Sequence, residues 1–126
     1  MKEFETDGLE VYVHNGKDYE PTMHFDAWRV AFLNYANRFD VIDKLERHLL
    51  TDEVFVLLEG DAILIVGEDC RTYRLEKNKI YNVKAAVWHA IKVTENARVL
   101  IVENHNTSKD NSEYLPLGEP LALSFN

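Results

Sequence analysis

The stretch Val41-Ile-Asp-Lys-Leu-Glu-Arg-His-Leu-Leu-Thr-Asp-Glu-Val-Phe-Val-Leu-Leu-Glu-Gly60 decides how this chain folds. Its apolar residues first alternate with polar ones and then form a short solid run at residues 54–58. Both patterns are typical of β-strands. In an extended strand Glu46 and His48 lie on one face, while Leu45 and Leu49 lie on the other. Two side chains that can bind a metal ion therefore point the same way.

The same patterns continue through most of the chain after residue 28. We predict an all-β fold with strands at residues 28–35, 41–49, 53–59, 62–66, 72–75, 79–83, 88–93, 98–103 and 121–125. Gly60 and Asp61 separate two apolar runs, which predicts a tight hairpin. Many short antiparallel strands at this spacing predict a sandwich or a barrel. A closed barrel would also remove the exposed strand edges that invite aggregation.

Length and composition favour one globular domain, residues 1–126, without a membrane span. The hydrophobic content is 46%, and no apolar run reaches the roughly 20 residues that a spanning helix needs. No secretory signal is recognisable at the start, and Cys70 is a single cysteine in a polar turn, expected to be a passive thiol. We therefore expect a cytoplasmic protein. Residues 1–26 could form an edge strand or an arm exchanged within a dimer.

The charge distribution argues against a nucleic-acid partner. The formal net charge is -8, and the 14 Lys and Arg residues are scattered along the chain. A nucleic-acid binder needs basic side chains gathered into a patch or stripe. We therefore expect the partner to be a small molecule.

Glu53 and His89 add to the candidate site. Glu53 opens an otherwise apolar strand, where a buried carboxylate is costly unless it meets a cation or strong donors. His89 begins another strand, with Ile91 and Val93 on its own face, so its ring is expected to face the interior. Two histidines with one or two carboxylates make a divalent site with an open position, suited to Zn, Mn, Fe, Ni or Cu.

The spacing of His48, Glu53 and Gly60 resembles the latter half of the first sequence motif of the cupin superfamily. Residues 84–89, Lys-Ala-Ala-Val-Trp-His, resemble the second motif, Pro-x-Gly-x-x-His, at His89. The resemblance covers residues 40–103 and implies a cupin-type antiparallel β-barrel, also described as a double-stranded β-helix or jelly roll. The tail at residues 103–114 is also similar to that of small bacterial cupins of uncharacterised activity.

The resemblance also implies a ligand set. In metal-binding cupins the first motif supplies two histidines and a glutamate, and the second supplies one histidine. This implies His48, Glu53 and His89 as ligands of a divalent ion such as Mn, Fe, Ni or Zn. Glu46 stands where the first histidine is usual. It could bind the metal, or it could form an ion pair with Lys44, Arg47 or Arg29.

Three functions remain open at this stage. The first is a metal-dependent enzyme that acts on a small polar metabolite, such as a sugar or hydroxy acid, with Glu46 as the candidate catalytic proton carrier. The second is a cupin that binds a small molecule without turnover. The third is a metal-free barrel whose polar groups hydrogen-bond to one another and whose main role is to form a dimer interface. The resemblance implies a homodimer.

Other residues could contribute to ligand binding. Arg29, Tyr81 and Trp88 could contact a ligand from strands next to the motif. His14, His24 and His105 lie outside the motif, and such isolated histidines are expected to be solvated or structural.

Overall fold

The computed structural model describes residues 1–126, and nearly all of its regular structure is β-strand. The strands are β1 (Lys2–Thr6), β2 (Leu9–Tyr12), β3 (Asp18–Phe25), β4 (Trp28–Asn34), β5 (Ile42–His48), β6 (Glu53–Glu59), β7 (Ala62–Val66), β8 (Arg71–Arg74), β9 (Tyr81–Val83), β10 (His89–Val93), β11 (Arg98–Asn104) and β12 (Ser112–Leu121). Two short 3-10 turns, Asn37–Asp40 and Lys109–Asn111, interrupt them. No helix has the length and apolar character needed to span a bilayer.

Ten of the strands form two antiparallel sheets of five strands each. The first sheet has the order β3-β4-β11-β6-β9, and the second has the order β12-β5-β10-β7-β8. Strands β1 and β2 form a separate hairpin. The predicted all-β fold of antiparallel strands is confirmed, although the sheets do not close into a continuous barrel. The two sheets are not joined by a hydrogen-bonded ladder, so each keeps two free edges.

The main core lies between the two sheets. It is built from the inward side chains of alternating strand positions, as a half-buried strand requires. Val99 and Ile101 on β11, for example, are 0% and 2% exposed. The buried members of this core are Ala31, Leu33, Ala36, Phe39, Phe55, Leu57, Ala62, Leu64, Leu75, Val83, Ile91, Val93, Ala97, Val99 and Ile101.

The outer face of the second sheet is also apolar. Ile42, Leu45, Ile63 and Ile65 are buried there. They are covered by side chains from the last quarter of the chain, among them Leu115, Leu117, Leu121, Leu123 and Phe125. The C-terminal segment therefore returns across the sheet, with β12 paired to β5 at its edge.

The predicted hairpin at Gly60 and Asp61 is wrong. Strand β6 belongs to the first sheet and β7 to the second, so this two-residue connection carries the chain from one sheet to the other. Gly60 adopts φ +70°, and a Cβ on it would lie 2.6 Å from the Cα of Ala97. A glycine is required because the close approach to Ala97 leaves no room for a side chain, and the left-handed backbone also favours glycine.

Most strand predictions are confirmed within one or two residues. The bounds predicted for β6 and β7, residues 53–59 and 62–66, match the structure. The predicted last strand at residues 121–125 is wrong, because the observed strand β12 ends at residue 121. Pro116 and Pro120 lie inside β12 and made this strand hard to predict from the sequence, since proline is confined to edge strands and bulges.

Candidate metal centre

His48 and His89 lie on neighbouring strands of the second sheet. His48 ends β5 and His89 opens β10, and the two strands pair with His89 opposite Glu46. The centroids of the two imidazole rings are 5.4 Å apart, with an angle of 64° between the ring planes. The end of one strand and the start of its neighbour thus bring both rings to one cavity.

Glu53 reaches the two histidines from the opposite sheet. It begins β6, and its Oε1 lies 2.9 Å from His89 Nε2 and 3.3 Å from His48 Nε2. The residue is only 6% exposed. Two imidazole nitrogens therefore converge on one buried carboxylate oxygen.

The three groups shift one another's pKa values. Burial alone would raise the pKa of Glu53, but the hydrogen bonds and positive charge that His48 and His89 provide outweigh burial and lower it. Burial alone would lower the pKa values of the two histidines, but the hydrogen bond and charge of Glu53 raise both. In the protein without a metal, the imidazoles therefore hold protons more tightly than free histidine does.

Hydrogen bonds on the far side of each ring fix its orientation. His48 Nδ1 lies 2.8 Å from the hydroxyl oxygen of Ser112. His89 Nδ1 lies 2.9 Å from the carbonyl oxygen of Val87, which accepts only, so this nitrogen carries a proton. The Nε2 atoms are left to face Glu53, which is the arrangement that outer hydrogen bonds impose on metal-binding histidines.

The turn before His89 replaces a motif glycine with Ala86. Ala86 adopts φ +66°, a region that an alanine enters at a cost of roughly 1–2 kcal/mol. Its N–H donates to the carbonyl of His48 at 2.8 Å. The strained turn therefore ties the residues before His89 to the end of β5.

Glu46 lies at the outer side of the cluster. Its Oε1 is 3.9 Å from His48 Nε2 and 4.0 Å from His89 Nε2, and its side chain is 41% exposed. These separations are too long for hydrogen bonds. Glu46 therefore makes no hydrogen bond to either histidine, and its carboxylate lines the cavity next to them.

Glu103 is a cluster residue that sequence reasoning missed. It lies near the end of β11 and is 5% exposed. Its Oε1 accepts hydrogen bonds from the Tyr19 hydroxyl at 2.5 Å and from Arg29 Nη2 at 2.8 Å. The signal was present, because Glu103 shares the inward face of its strand with Val99 and Ile101.

A cavity of about 790 Å³ opens above these side chains. Glu46, His48, Glu53, His89 and Glu103 all line it. Its volume lies within the range of about 300–1,000 Å³ that is usual for small-molecule sites. The cluster therefore has room for a small ligand beside it.

The donor atoms suit a divalent ion. Metal–donor bonds of about 2.0–2.2 Å place neighbouring ligand atoms about 2.8–3.6 Å apart, from octahedral to tetrahedral angles. The separations of 2.9 Å and 3.3 Å from Glu53 to the two histidines are close to this spacing. Glu46, His48 and His89 can offer three atoms that lie within 4.8 Å of one another. Two imidazoles and two carboxylates could thus hold a divalent cation such as Mn, Fe, Ni or Zn.

The three other predicted binding residues lie in different places relative to the cavity. Arg29 lines the cavity. Tyr81 does not, because it lies over a separate, smaller pocket and its hydroxyl accepts from the Glu76 N–H. Trp88 directly precedes His89 and so faces the opposite side of the sheet, where its ring centroid lies 4.3 Å from the Arg47 guanidinium.

The remaining histidines lie outside the cluster. His14 Nδ1 lies 2.8 Å from Glu20, while His24 and His105 stack with their ring centroids 3.7 Å apart.

Comparison with solved structures identifies the fold as that of the cupins. A cupin-2 domain protein from Shewanella frigidimarina matches 73% of this chain and 85% of its own, with a TM-score of 0.58 and 17% identity. This result confirms the cupin resemblance at the level of fold. No family model and no curated protein sequence matches the chain.

Two further similar structures are enzymes by their descriptions. Pac13, described as a nucleoside dehydratase, matches 84% of this chain and 86% of its own, with a TM-score of 0.63 and 4% identity. A Streptomyces Pac13 variant was solved with uridine. The QdtA 3,4-ketoisomerase from Thermoanaerobacterium thermosaccharolyticum, solved with TDP, matches 71% of this chain and 67% of its own, with a TM-score of 0.56 and 17% identity. At these identities the likeness shows the fold alone.

Proposed function

We propose that this protein is a metal-dependent cupin enzyme that acts on a small polar metabolite such as a sugar or hydroxy acid. The observation that carries the proposal is the convergence of His48 and His89 on one buried oxygen of Glu53. Converging titratable groups of this kind are costly to bury and are concentrated at functional sites. The adjoining cavity gives a ligand access to them.

The side chains of the cluster would have different roles in the reaction. His48, His89 and Glu53 would hold the ion, and a bound divalent ion supplies a positive charge that polarises a carbonyl or hydroxyl. Glu46 is half-exposed at the edge of the cluster, so it can accept a proton from a ligand hydroxyl and return it. Arg29 lines the cavity, and its guanidinium charge, held in place by Glu103 and two backbone carbonyls, attracts ligand oxygens.

The known ligands of proteins with this fold support the class of ligand. Uridine and TDP, found with Pac13 and QdtA, are small polar molecules. The cavity of this chain carries both charges on its walls, with Arg38, Lys44 and Lys109 among its cationic lining residues. A ligand with several oxygen atoms suits such a lining.

A second candidate is a metal-free cupin that binds a ligand without turnover. The favouring observation is that Glu53 and the two histidines satisfy one another within 2.9–3.3 Å. Protons on the imidazoles would then supply the positive charge that an ion supplies in the first candidate.

Metal analysis distinguishes the candidates. The protein, purified without chelator, is expected to contain stoichiometric Mn, Fe, Ni or Zn by mass spectrometry, and His48→Ala and His89→Ala are expected to lose it. His24→Ala is the matched control, because His24 stacks on His105 outside the cluster. A metal-free wild type whose melting temperature responds neither to chelator nor to added ions would refute the metal site. Turnover assays on sugars and hydroxy acids then separate the enzyme from the binder.

We further propose that the chain works as a cytoplasmic homodimer. The support for a dimer is the hairpin of β1 and β2, which exposes Phe4 and Leu9 and pairs with neither large sheet. A two-stranded hairpin is marginal in water when nothing covers it.

A further inference from the structure

Glu103 has an unused oxygen beside the candidate metal centre. Its Oε1 accepts from both Tyr19 and Arg29, whereas Oε2 is buried and has no hydrogen-bond partner, and Nε of Arg29 is likewise buried without a partner. The side chain is 3% exposed, so bulk water does not solvate this atom. A buried carboxylate oxygen without a donor is costly, which indicates a partner that belongs there.

The position of Glu103 shows which partner fits. One donor atom from each of His48, Glu53 and Glu103 lies within 4.8 Å of the other two. A second buried carboxylate next to Glu53 adds repulsion, and the guanidinium of Arg29 bonds only to the Oε1 side. A cation placed between the two carboxylates would remove the repulsion and supply the missing partner of Oε2.

We propose that Glu103 is a further ligand of the divalent ion, which is drawn inward between Glu53 and Glu103 and shares His48 with the outer group. This inference rests on the proposed metal site and adds a ligand from outside both sequence motifs. Tyr19 and Arg29 would hold the carboxylate in place through Oε1, as outer hydrogen bonds do for other metal-binding carboxylates. The extra oxygen also moves the donor set toward harder ions such as Mn.

Metal titration of the whole protein tests this inference. Mn²⁺ and Co²⁺ are titrated into chelator-treated wild type, Glu103→Gln and Glu119→Gln at one pH above the ordinary histidine range. Glu103→Gln keeps the size of the side chain and is expected to weaken binding at least about tenfold. Glu119→Gln removes the same charge from an exposed position and is expected to leave affinity unchanged.

Glu103→Asp separates ligation from the field of a nearby charge. It keeps the negative charge but shortens the reach, so a lost ligand is expected to weaken binding and change the visible Co²⁺ spectrum. It also stands in if Glu103→Gln does not fold, which circular dichroism reports. Equal affinities in wild type and the Glu103 variants, or weaker binding with an unchanged Co²⁺ spectrum, would overturn the inference alone. A wild type that binds neither ion would overturn the proposed function as well.

Discussion

At the scale of single residues, Glu53 holds the candidate site together. It is the one carboxylate within hydrogen-bond distance of both histidines, and it reaches them from the sheet opposite theirs. Each of these groups is costly to bury alone, so the stability of the cluster depends on all three being present.

Removing this carboxylate has a predictable cost. In the chelator-treated protein, Glu53→Gln is expected to lower the free energy of unfolding by about 3 kcal/mol, because it leaves two buried imidazoles without their counter-charge. Glu46→Gln is expected to cost less than about 1 kcal/mol, because Glu46 is 41% exposed and beyond hydrogen-bond distance. Urea unfolding in mildly acidic buffer measures both, and similar losses for the two variants would contradict the assigned roles.

The same cluster predicts a stability maximum in pH for the metal-free protein. The folded-state pKa values of His48 and His89 exceed 6.5, so their contribution is complete below 6.5 and is lost as the pH rises through the folded values. The folded-state pKa of Glu53 lies below 4.5, so its contribution is present above 4.5 and is lost as the pH falls.

Thermal unfolding, measured over a range of pH in the presence of a chelator, tests the predicted direction of these stability changes. The melting temperature is expected to be highest between the ordinary pKa values of Glu and His, 4.5 and 6.5, and to decline at higher pH. Added divalent ion is expected to oppose that decline, because deprotonated imidazoles bind metal. A double variant, His48→Ala with His89→Ala, serves as the control and should lack the alkaline decline.

The limits of sequence reasoning at this scale have a clear cause. Glu46, His48, Glu53 and His89 could be recognised because strand alternation and motif spacing both apply to them. Glu103 lies at the far end of β11, and its contacts with Tyr19 and Arg29 join residues more than 70 positions apart. Trp88 does not line the cavity, because its neighbour His89 takes the inward position on the strand.

At the scale of secondary-structure elements, the connection between β6 and β7 determines which sheet each strand joins. Its two residues cross from one sheet to the other instead of closing a hairpin. The apolar pattern on either side predicted both strands correctly but contained no information about their pairing, which is set by distant partners on β11 and β10.

A substitution at Gly60 tests this connection. Gly60→Ala is expected to lower the free energy of unfolding by about 3 kcal/mol, from the left-handed backbone and the clash with Ala97. Gly118→Ala is the control, because a Cβ there meets nothing within 4 Å, and it should stay within about 0.5 kcal/mol of wild type. Equal stability of the two variants in denaturant unfolding would show that the crossing tolerates a side chain.

At the scale of the whole molecule, the two sheets protect their open edges by other means than closure. Edge strand β12 contains Pro116 and a register shift, edge strand β3 contains Pro21 and a register shift, and edge strand β9 is only three residues long. Edge strand β8 carries Arg71 and Arg74. Proline, irregular register, short length and charge all discourage pairing with another chain.

These protected edges favour the N-terminal hairpin as the dimer contact. Light scattering is expected to give twice the mass of one chain for the wild type and the mass of one chain after removal of residues 1–12. Circular dichroism of the shortened chain provides the control for folding. A wild type that is monomeric at micromolar concentration, or a shortened chain that stays dimeric, would contradict the proposed interface.

The placement of Glu53 in one sheet and of His48 and His89 in the other has a mechanical consequence. Any breathing motion that separates the layers at this end must break the contacts of Glu53 with the two histidines. Occupancy of the cluster and opening of the sandwich are therefore thermodynamically linked. Backbone amides of β5, β6 and β10 should then exchange with deuterated solvent more slowly when the cluster of His48, Glu53 and His89 holds a metal ion.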